Sequence, residues 1–327
     1  MQKVRFGKTD LEITAVGFGA WAIGGTGWAG AWGSQDDDEA VGAIQRAVEL
    51  GINWVDTAAV YGLGHSEELV ARALKGFSDA DSPYVFTKCS LVWDEDGGVS
   101  NVLKKGSVKK ECEDSLRRLQ TDVIDLYQIH WPRPDEDIEE GWEALSELKE
   151  EGKVRHIGVS NFDAGQMERA GGIAPVETLQ PPYNMLRRDV EDEILPYARE
   201  NDVGVIVYSP MASGLLTGKM TRGRVEDMPS DDWRRNNEQF NDPKLSRNLD
   251  LVEKLREVGE RHDKSPAEVA IAWTLRHPAV SAAIVGGRRP DQVDGIVGAT
   301  NFRLSDDEVT RVAPCPGKQY PPDPKAA

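Results

Sequence analysis

The stretch DDDEAVGAIQRAVELGINWVDT, residues 36–57, decides how the rest of the chain is read. Asp36, Asp37 and Asp38 open it, and carboxylates there can cap a helix and complement the positive end of its dipole. A run with helical spacing extends to Leu50. Gly51 stands where a left-handed cap ends such a helix. Ile52–Thr57 follows as a short apolar run of strand length. The stretch is one helix feeding one buried strand.

The same grammar repeats in both directions. Apolar runs occur at Thr14–Trp21, Ile52–Thr57, Tyr84–Cys89, Val123–His130, His156–Ser160, Thr178–Tyr183, Val203–Pro210 and Ser281–Val285. Helical spacing marks Asp36–Leu50, Ser66–Leu74, Lys105–Leu119, Asp135–Glu150, Ala164–Ala170, Val190–Glu200, Ser246–His277 (two helices divided near Pro266) and Pro290–Ala299. Gly152 repeats after Glu150 what Gly51 does after Leu50. Ser265-Pro266-Ala267-Glu268 reads as an N-cap, a proline at the first helical position and a capping-box acid. Alternating strands and helices imply parallel strands with helical crossovers. Eight units favour an α/β fold of the (β/α)8 TIM-barrel kind, about 250 residues in its usual form, over a doubly wound sheet. No Pro/Ser/Gly linker divides the chain, so residues 1–327 read as one domain. The surplus falls in three places. Val4–Ile13, with a turn at Gly7-Lys8-Thr9-Asp10, predicts an N-terminal hairpin closing the barrel bottom. Residues 220–245 are polar and rich in turn formers, which predicts a lid-like loop on the C-terminal side. Residues 314–327 form a proline-rich tail without periodicity.

Composition narrows the function classes. Lys plus Arg number 39 against 56 Asp plus Glu, a net charge of −17. Such a field repels phosphate backbones and anionic membrane surfaces, which argues against nucleic-acid and membrane partners. Cys89, Cys112 and Cys315 are odd in number, widely spaced and form no CxxC, which points to a reducing compartment. The N-terminus lacks the apolar run of a signal peptide. No stretch approaches the ~18 apolar residues of a membrane span. The expectation is a cytoplasmic globular protein. The five histidines show no metal-ligand spacing with Cys or acids, so no metal site is expected.

In a barrel of this kind, catalytic groups project from the C-terminal ends of strands. Those ends carry Asp56, Lys88 and His130, with Tyr61 in the loop after Asp56. Tyrosine alone is a poor acid, with an ordinary pKa of about 10. A nearby ammonium lowers that value, an Asp holds the ammonium, and a His can orient a carbonyl oxygen. Together they form a proton donor for a carbonyl that is gaining electrons. Each residue alone has an ordinary structural explanation. Four on one face of consecutive units favour the functional one.

Here the motifs acquire a family likeness. Gly51-Ile-Asn-Trp-Val-Asp56-Thr-Ala-Ala-Val-Tyr61-Gly62, with Ser66-Glu67, resembles the signature of the aldo-keto reductase superfamily. Phe86-Thr87-Lys88 is similar to its lysine strand, Asp125-Leu-Tyr-Gln-Ile-His130-Trp-Pro132 to its histidine strand, and Gly158-Val-Ser-Asn-Phe162 to the next. The likeness runs from about Val4 to Ala299, in family order. Trp93 and Asp94 after the lysine lean toward the bacterial general-stress branch. The resemblance implies Tyr61 as general acid, Lys88 and Asp56 as its tuning pair, and His130 as carbonyl orienter. It implies NADP(H), with NAD(H) as the alternative, lying extended at the barrel mouth. Ser160, Asn161 and Gln180 would hold the carboxamide, and Tyr208 would stack on the nicotinamide. Ser209, Pro210 and Met211, then Gly214, Leu215, Gly218 and Lys219, would cradle the pyrophosphate. Gly286, Gly287, Arg288, Arg289 and Gln292 would take the adenosine, with the arginines on a 2′-phosphate. The chain departs from the pattern at Gly295 and Ile296, where relatives carry Glu and Asn. A monomer is implied.

Two motifs mislead. Gly17-Phe-Gly19-Ala-Trp-Ala22 fits a dinucleotide fingerprint, but Gly24, Gly25 and Gly27 follow where a helix is required. Gly214–Lys219 suggests a P-loop, but Ser213 and Met220 occupy its end positions. The nine tryptophans suggest a substrate wall from Trp21, Trp28, Trp32, Trp93 and Trp131, suited to sugar faces or aromatic aldehydes. Trp21 and Trp131 equally suit barrel packing. A nucleotide-binding regulatory subunit and a carboxylate hydrolase are the competing classes. The first predicts cofactor binding without turnover. The second leaves Tyr61 and Lys88 unexplained.

Overall fold

The computed structural model describes residues 1–78, 81–229 and 232–312. Strands β1 (Lys3–Arg5) and β2 (Glu12–Thr14) pair antiparallel as the expected N-terminal hairpin. The barrel strands are β3 (Val16–Gly19), β4 (Trp54–Asp56) and β5 (Tyr84–Cys89), then, after a small hairpin of β6 (Leu91–Trp93) and β7 (Val99–Asn101), β8 (Ile124–Ile129), β9 (Val154–Ser160), β10 (Thr178–Gln180), β11 (Gly204–Val207) and β12 (Val280–Gly286). Each is parallel to its neighbours, and β12 pairs with β3 to close the ring. The fold is a closed (β/α)8 barrel, not a doubly wound sheet. Each of the eight apolar runs falls on one barrel strand, and the runs at His156–Ser160 and Ser281–Val285 lie inside longer strands. Gly17–Ala22 is a strand end and a 3-10 turn, so the fingerprint there has no helix.

Helices α1 (Asp37–Glu49), α2 (His65–Leu74), α3 (Lys105–Leu119), α4 (Ile138–Glu150), α5 (Ala164–Gly171), α6 (Ile194–Glu200), α7 (Arg222–Glu226), α8 (Lys244–Glu260), α9 (Pro266–Leu275), α10 (Pro290–Asp294) and α11 (Asp306–Val312) complete the chain. Asp36 caps α1 by accepting from the amides of Asp38 and Glu39. Gly51 and Gly152 adopt φ of +92° and +76° after α1 and α4. Ser265 and Glu268 form the capping box of α9 around Pro266.

The barrel bottom is sealed from within. Phe6, Leu11 and Ile13 of the hairpin pack on Trp54, Phe86, Leu126 and Ile206. Two glycines make room for this. A Cβ on Gly17 would lie 2.1 Å from the Trp54 indole, and one on Gly204 would lie 2.5 Å from Phe6. Among the described residues, the plug fills the bottom end of the barrel. The hairpin of β6 and β7 and helix α11 were outside the sequence expectations. Residues 220–245 are not a purely polar loop. Met220, Met228, Phe240 and Leu245 bury themselves with Leu215. The proline-rich tail, 314–327, lies outside the described residues, as does Cys315. Cys89 and Cys112 are buried free thiols. Among the described residues, no helix is long and apolar enough to cross a membrane, and no group of three or more His, Cys, Asp or Glu could hold a metal ion.

Candidate active site

Strand alternation aims the central pair inward. Asp56 is in register with Phe86, and Lys88 lies two residues beyond Phe86 on the same face. Both therefore sit above the Trp54–Phe86 layer, at the barrel mouth. Lys88 Nζ donates to Asp56 Oδ1 at 2.6 Å and to the Thr57 carbonyl at 2.8 Å. Gln180 Nε2 donates to Asp56 Oδ2 at 2.7 Å. Burial lowers the Lys88 pKa, and the Asp56 charge opposes it. An ammonium this buried needs its partner.

Tyr61 reaches the same place from the loop after β4. Gly62, at φ +62°, allows that loop to press against Gly24, where any Cβ would lie 2.0 Å from the Gly24 oxygen. Lys88 Nζ sits 5.3 Å from the Tyr61 ring centroid. His130 meets the same ring edge-on, with centroids 5.7 Å apart. His130 is fixed by its backbone. Its amide donates to Cys89 O at 3.0 Å, and its carbonyl accepts from Asn161 Nδ2 at 2.9 Å. The structure thus brings Asp56, Tyr61, Lys88 and His130 together.

The electrostatics correct one expectation. The Tyr61 phenol is not depressed. Burial, and then the Asp56 charge, push it well above its ordinary value. Tyr61 is protonated at neutral pH. Burial, and then Lys88, push His130 well below the ordinary histidine value. Its imidazole is neutral, and Nδ1 is buried without a hydrogen-bond partner among the described residues.

A cleft of about 980 Å³ opens over this group. Trp21 stacks on Tyr61 at 6.3 Å, Trp28 lies at 5.9 Å, and Trp32 meets Trp21 edge-on at 5.3 Å. Trp131 also lines the cleft. Trp93 does not. The unforeseen hairpin of β6 and β7 carries it to Arg118, whose guanidinium lies 5.7 Å from its ring.

Away from Tyr61 the cleft becomes a groove. Ser160 Oγ donates to Gln180 O at 2.8 Å, and the Tyr208 hydroxyl donates to Asn161 Oδ1 at 2.8 Å. Ser209, Ala212, Ser213 and Gly214 all have left-handed φ, between +47° and +91°. Ser209, Pro210, Met211, Gly214 and Lys219 line the groove, as do Gly286, Gly287, Arg288, Arg289 and Gln292 opposite. Leu215 and Gly218 do not. Leu215 is fully buried, and the Cβ position of Gly218 lies 2.8 Å from Pro266. Arg288 is turned toward the glycine-rich loop, and Arg289 pairs with Asp291 at 3.0 Å. Gln292 Oε1 accepts from the Arg288 amide at 2.8 Å.

Sequence reasoning missed Gln35, Trp233 and Arg234. Trp233 stacks on Trp21 at 6.1 Å. Arg234 lies 4.7 Å from the Trp32 ring centroid and pairs with buried Asp232. The only available signal was a Trp-Arg-Arg run inside a polar segment.

Comparison with known proteins agrees with this architecture. The family model for the aldo/keto reductase family matches residues 15–315. Aldo-keto reductase YhdN of Bacillus subtilis is 38% identical, covering 94% of this chain and 91% of its own. The NADH-specific methylglyoxal reductase of Escherichia coli is 35% identical, covering 95% and 97%. The solved glycerol dehydrogenase AKR11B4 from Gluconobacter oxydans superposes with a TM-score of 0.86 at 40% identity, covering 95% and 94%. A closed barrel, a mouth holding Asp, Tyr, Lys and His, and matches spanning nearly the whole chain lead to one conclusion: this protein belongs to the aldo/keto reductase family.

Proposed function

We propose that this chain reduces small aldehydes and ketones, aldoses among them, to alcohols with NADP(H), using Tyr61 as the general acid. One observation carries the reading: a neutral phenol held over the Lys88 ammonium and against a neutral imidazole, in a cleft walled by tryptophan. A nicotinamide cofactor fits the donor set. Ser160, Asn161 and Gln180 would hold the carboxamide, Tyr208 would face the ring, and the left-handed turn at 209–214 suits a pyrophosphate. When bound, the dihydronicotinamide supplies a hydride to the carbonyl carbon.

The chain's residues handle the oxygen. His130 orients it by a hydrogen bond that needs no charge. Tyr61 gives up its proton to that oxygen as negative charge develops there, and solvent later restores the proton. Lys88 then stabilises the phenolate, while Asp56 and Gln180 keep Lys88 in place. Stabilisation at the site of developing charge is where such enzymes gain most. The tryptophans exclude water and offer flat apolar faces.

Arg289 supports a 2′-phosphate, and Lys219 a pyrophosphate. Asp36 and Glu39, which also line the groove, favour NADH as the second reading, and the Escherichia coli relative is named NADH-specific. We place the chain in the cytoplasm, working as a monomer. The test is a panel of aldehydes, ketones and aldoses with NADPH and NADH in parallel. Oxidation of NADPH by uncharged aldehydes is expected. Failure of every carbonyl to oxidise either cofactor overturns the reading.

A further inference from the structure

Arg288 and Arg289 are neighbours in sequence with different surroundings. The Arg288 guanidinium folds back over the glycine-rich loop. Its Nε donates to Gln35 Oε1 at 2.6 Å, Nη1 donates to Trp32 O at 3.1 Å, and Nη2 donates to Ser34 O. Gln35 Nε2 returns a bond to Arg288 O at 3.1 Å. Three of the five guanidinium N–H donors are thus committed to residues 32–35. The contact continues inward. Trp32 meets both the Arg234 guanidinium and, in a T-shaped pair, Trp21, and Trp21 stacks on Tyr61. Arg289 is exposed and, among the described residues, pairs with Asp291 on its own turn, with the charge of Glu39 within reach.

We infer that Arg288 is a positioning residue, a tether that holds residues 32–35 across the groove and with them the aromatic wall beside Tyr61, and that discrimination for a 2′-phosphate belongs to Arg289. The second half rests on the nicotinamide reading proposed above, and the first half does not. Arginine suits the task because it stays charged and its planar fork can serve two carbonyls and an amide oxygen at once. A lysine has the charge without the fork.

The test uses the full chain with Arg288→Met, Arg288→Lys, Gln35→Ala and Arg289→Met. The readouts are hydrogen exchange over residues 28–35, the carbonyl KM and kcat, and the dissociation constants of NADPH and NADH. Losing charge-assisted bonds should speed exchange in 28–35 by about tenfold or more in Arg288→Met, and by less in Gln35→Ala, which keeps the bonds to Trp32 O and Ser34 O. The carbonyl KM should rise with it, and the NADPH-to-NADH affinity ratio should hold. Arg288→Lys should not rescue the loop. Arg289→Met should leave exchange unchanged and lower the ratio by about tenfold, the loss of one charged contact to a phosphate. The tether is overturned if Arg288→Met leaves exchange over 28–35 at the wild-type rate. The assignment of Arg289 is overturned if the ratio falls in Arg288→Met and not in Arg289→Met. Gln35→Ala removes the Gln35 bonds to Arg288 and leaves those to Trp32 O and Ser34 O, so if Arg288→Met folds poorly, an intermediate rise in exchange in Gln35→Ala supports the tether and a wild-type rate overturns it. If the wild-type chain binds neither nucleotide, the nicotinamide reading and the Arg289 half fall together, and the exchange measurement still decides the tether.

Discussion

Lys88 and Asp56 face each other at 2.6 Å with both side chains withdrawn from solvent. Removing one partner strands a buried charge, which typically costs about 3–5 kcal/mol. Lys88→Met is therefore expected to melt well below the wild type. The double variant Asp56→Asn with Lys88→Met should recover much of the lost stability and none of the carbonyl reduction. Thermal melts beside an activity assay check this, and a single variant as stable as the wild type contradicts it. His130 makes a second prediction. Its pKa lies well below the ordinary value of about 6.5. The wild-type kcat should then show no acid-side loss from this residue between roughly pH 8 and pH 6. A fall near the ordinary histidine value that disappears in His130→Gln refutes it. Much of this site is legible at strand ends, where Asp56, Lys88 and His130 follow apolar runs. Trp233 and Arg234 are not, because they meet Trp21 and Trp32 across some two hundred residues and no periodicity links them. The raised phenol was also out of reach, since it depends first on burial, and then on the nearby Asp56 charge, that only the folded mouth creates.

At the scale of elements, His156 is one of the staples of the N-terminal hairpin to the barrel bottom, beside Arg155, which also pairs with Asp10. His156 Nδ1 meets Glu177 Oε1 at 3.0 Å, and Nε2 meets Asp10 Oδ1 at 2.7 Å. Burial lowers the His156 pKa, but the two carboxylates more than offset this and the net shift is upward. Those of Asp10 and Glu177 are lowered. A raised histidine stabilises the fold fully below its unfolded value, about 6.5, and loses that contribution as pH rises through the folded value. The lowered carboxylates contribute above about pH 4 and lose their contribution as pH falls through their folded values. The staple should be strongest between those limits. Melting curves of wild type and His156→Gln across pH should differ most near pH ~6 and converge in alkali. A constant difference contradicts the staple. At α9, Ser265→Ala should cost about 1 kcal/mol, the usual value of an N-cap, measured by urea unfolding. That cap was readable from four consecutive residues. The hairpin of β6 and β7 was harder to read, because three-residue strands are too short for alternation to register. Asp94 nonetheless marks its turn by accepting from the amides of Asp96 and Gly98.

Across the whole molecule, the alternation of apolar runs and helical segments was enough to locate every barrel strand, because closing eight such units requires only that each bury its strand. The same regularity says nothing about which loops bridge the mouth. That is decided by contacts such as Arg288 to Ser34 and Trp21 to Trp233, between segments that lie far apart in the chain. The net charge of −17 surrounds a mouth where Lys219, Arg224, Arg234, Arg288 and Arg289 line the cleft, a local reversal of sign suited to an anionic ligand. The most direct test of the account is Tyr61→Phe, which removes one hydroxyl and leaves the ring stacked. Wild type and variant should bind NADPH with similar dissociation constants. Carbonyl reduction by the variant should fall by about 10²-fold or more, the usual share of a general acid. Reduction surviving within a few-fold of wild type would contradict the assignment of Tyr61 and the mechanism built on it.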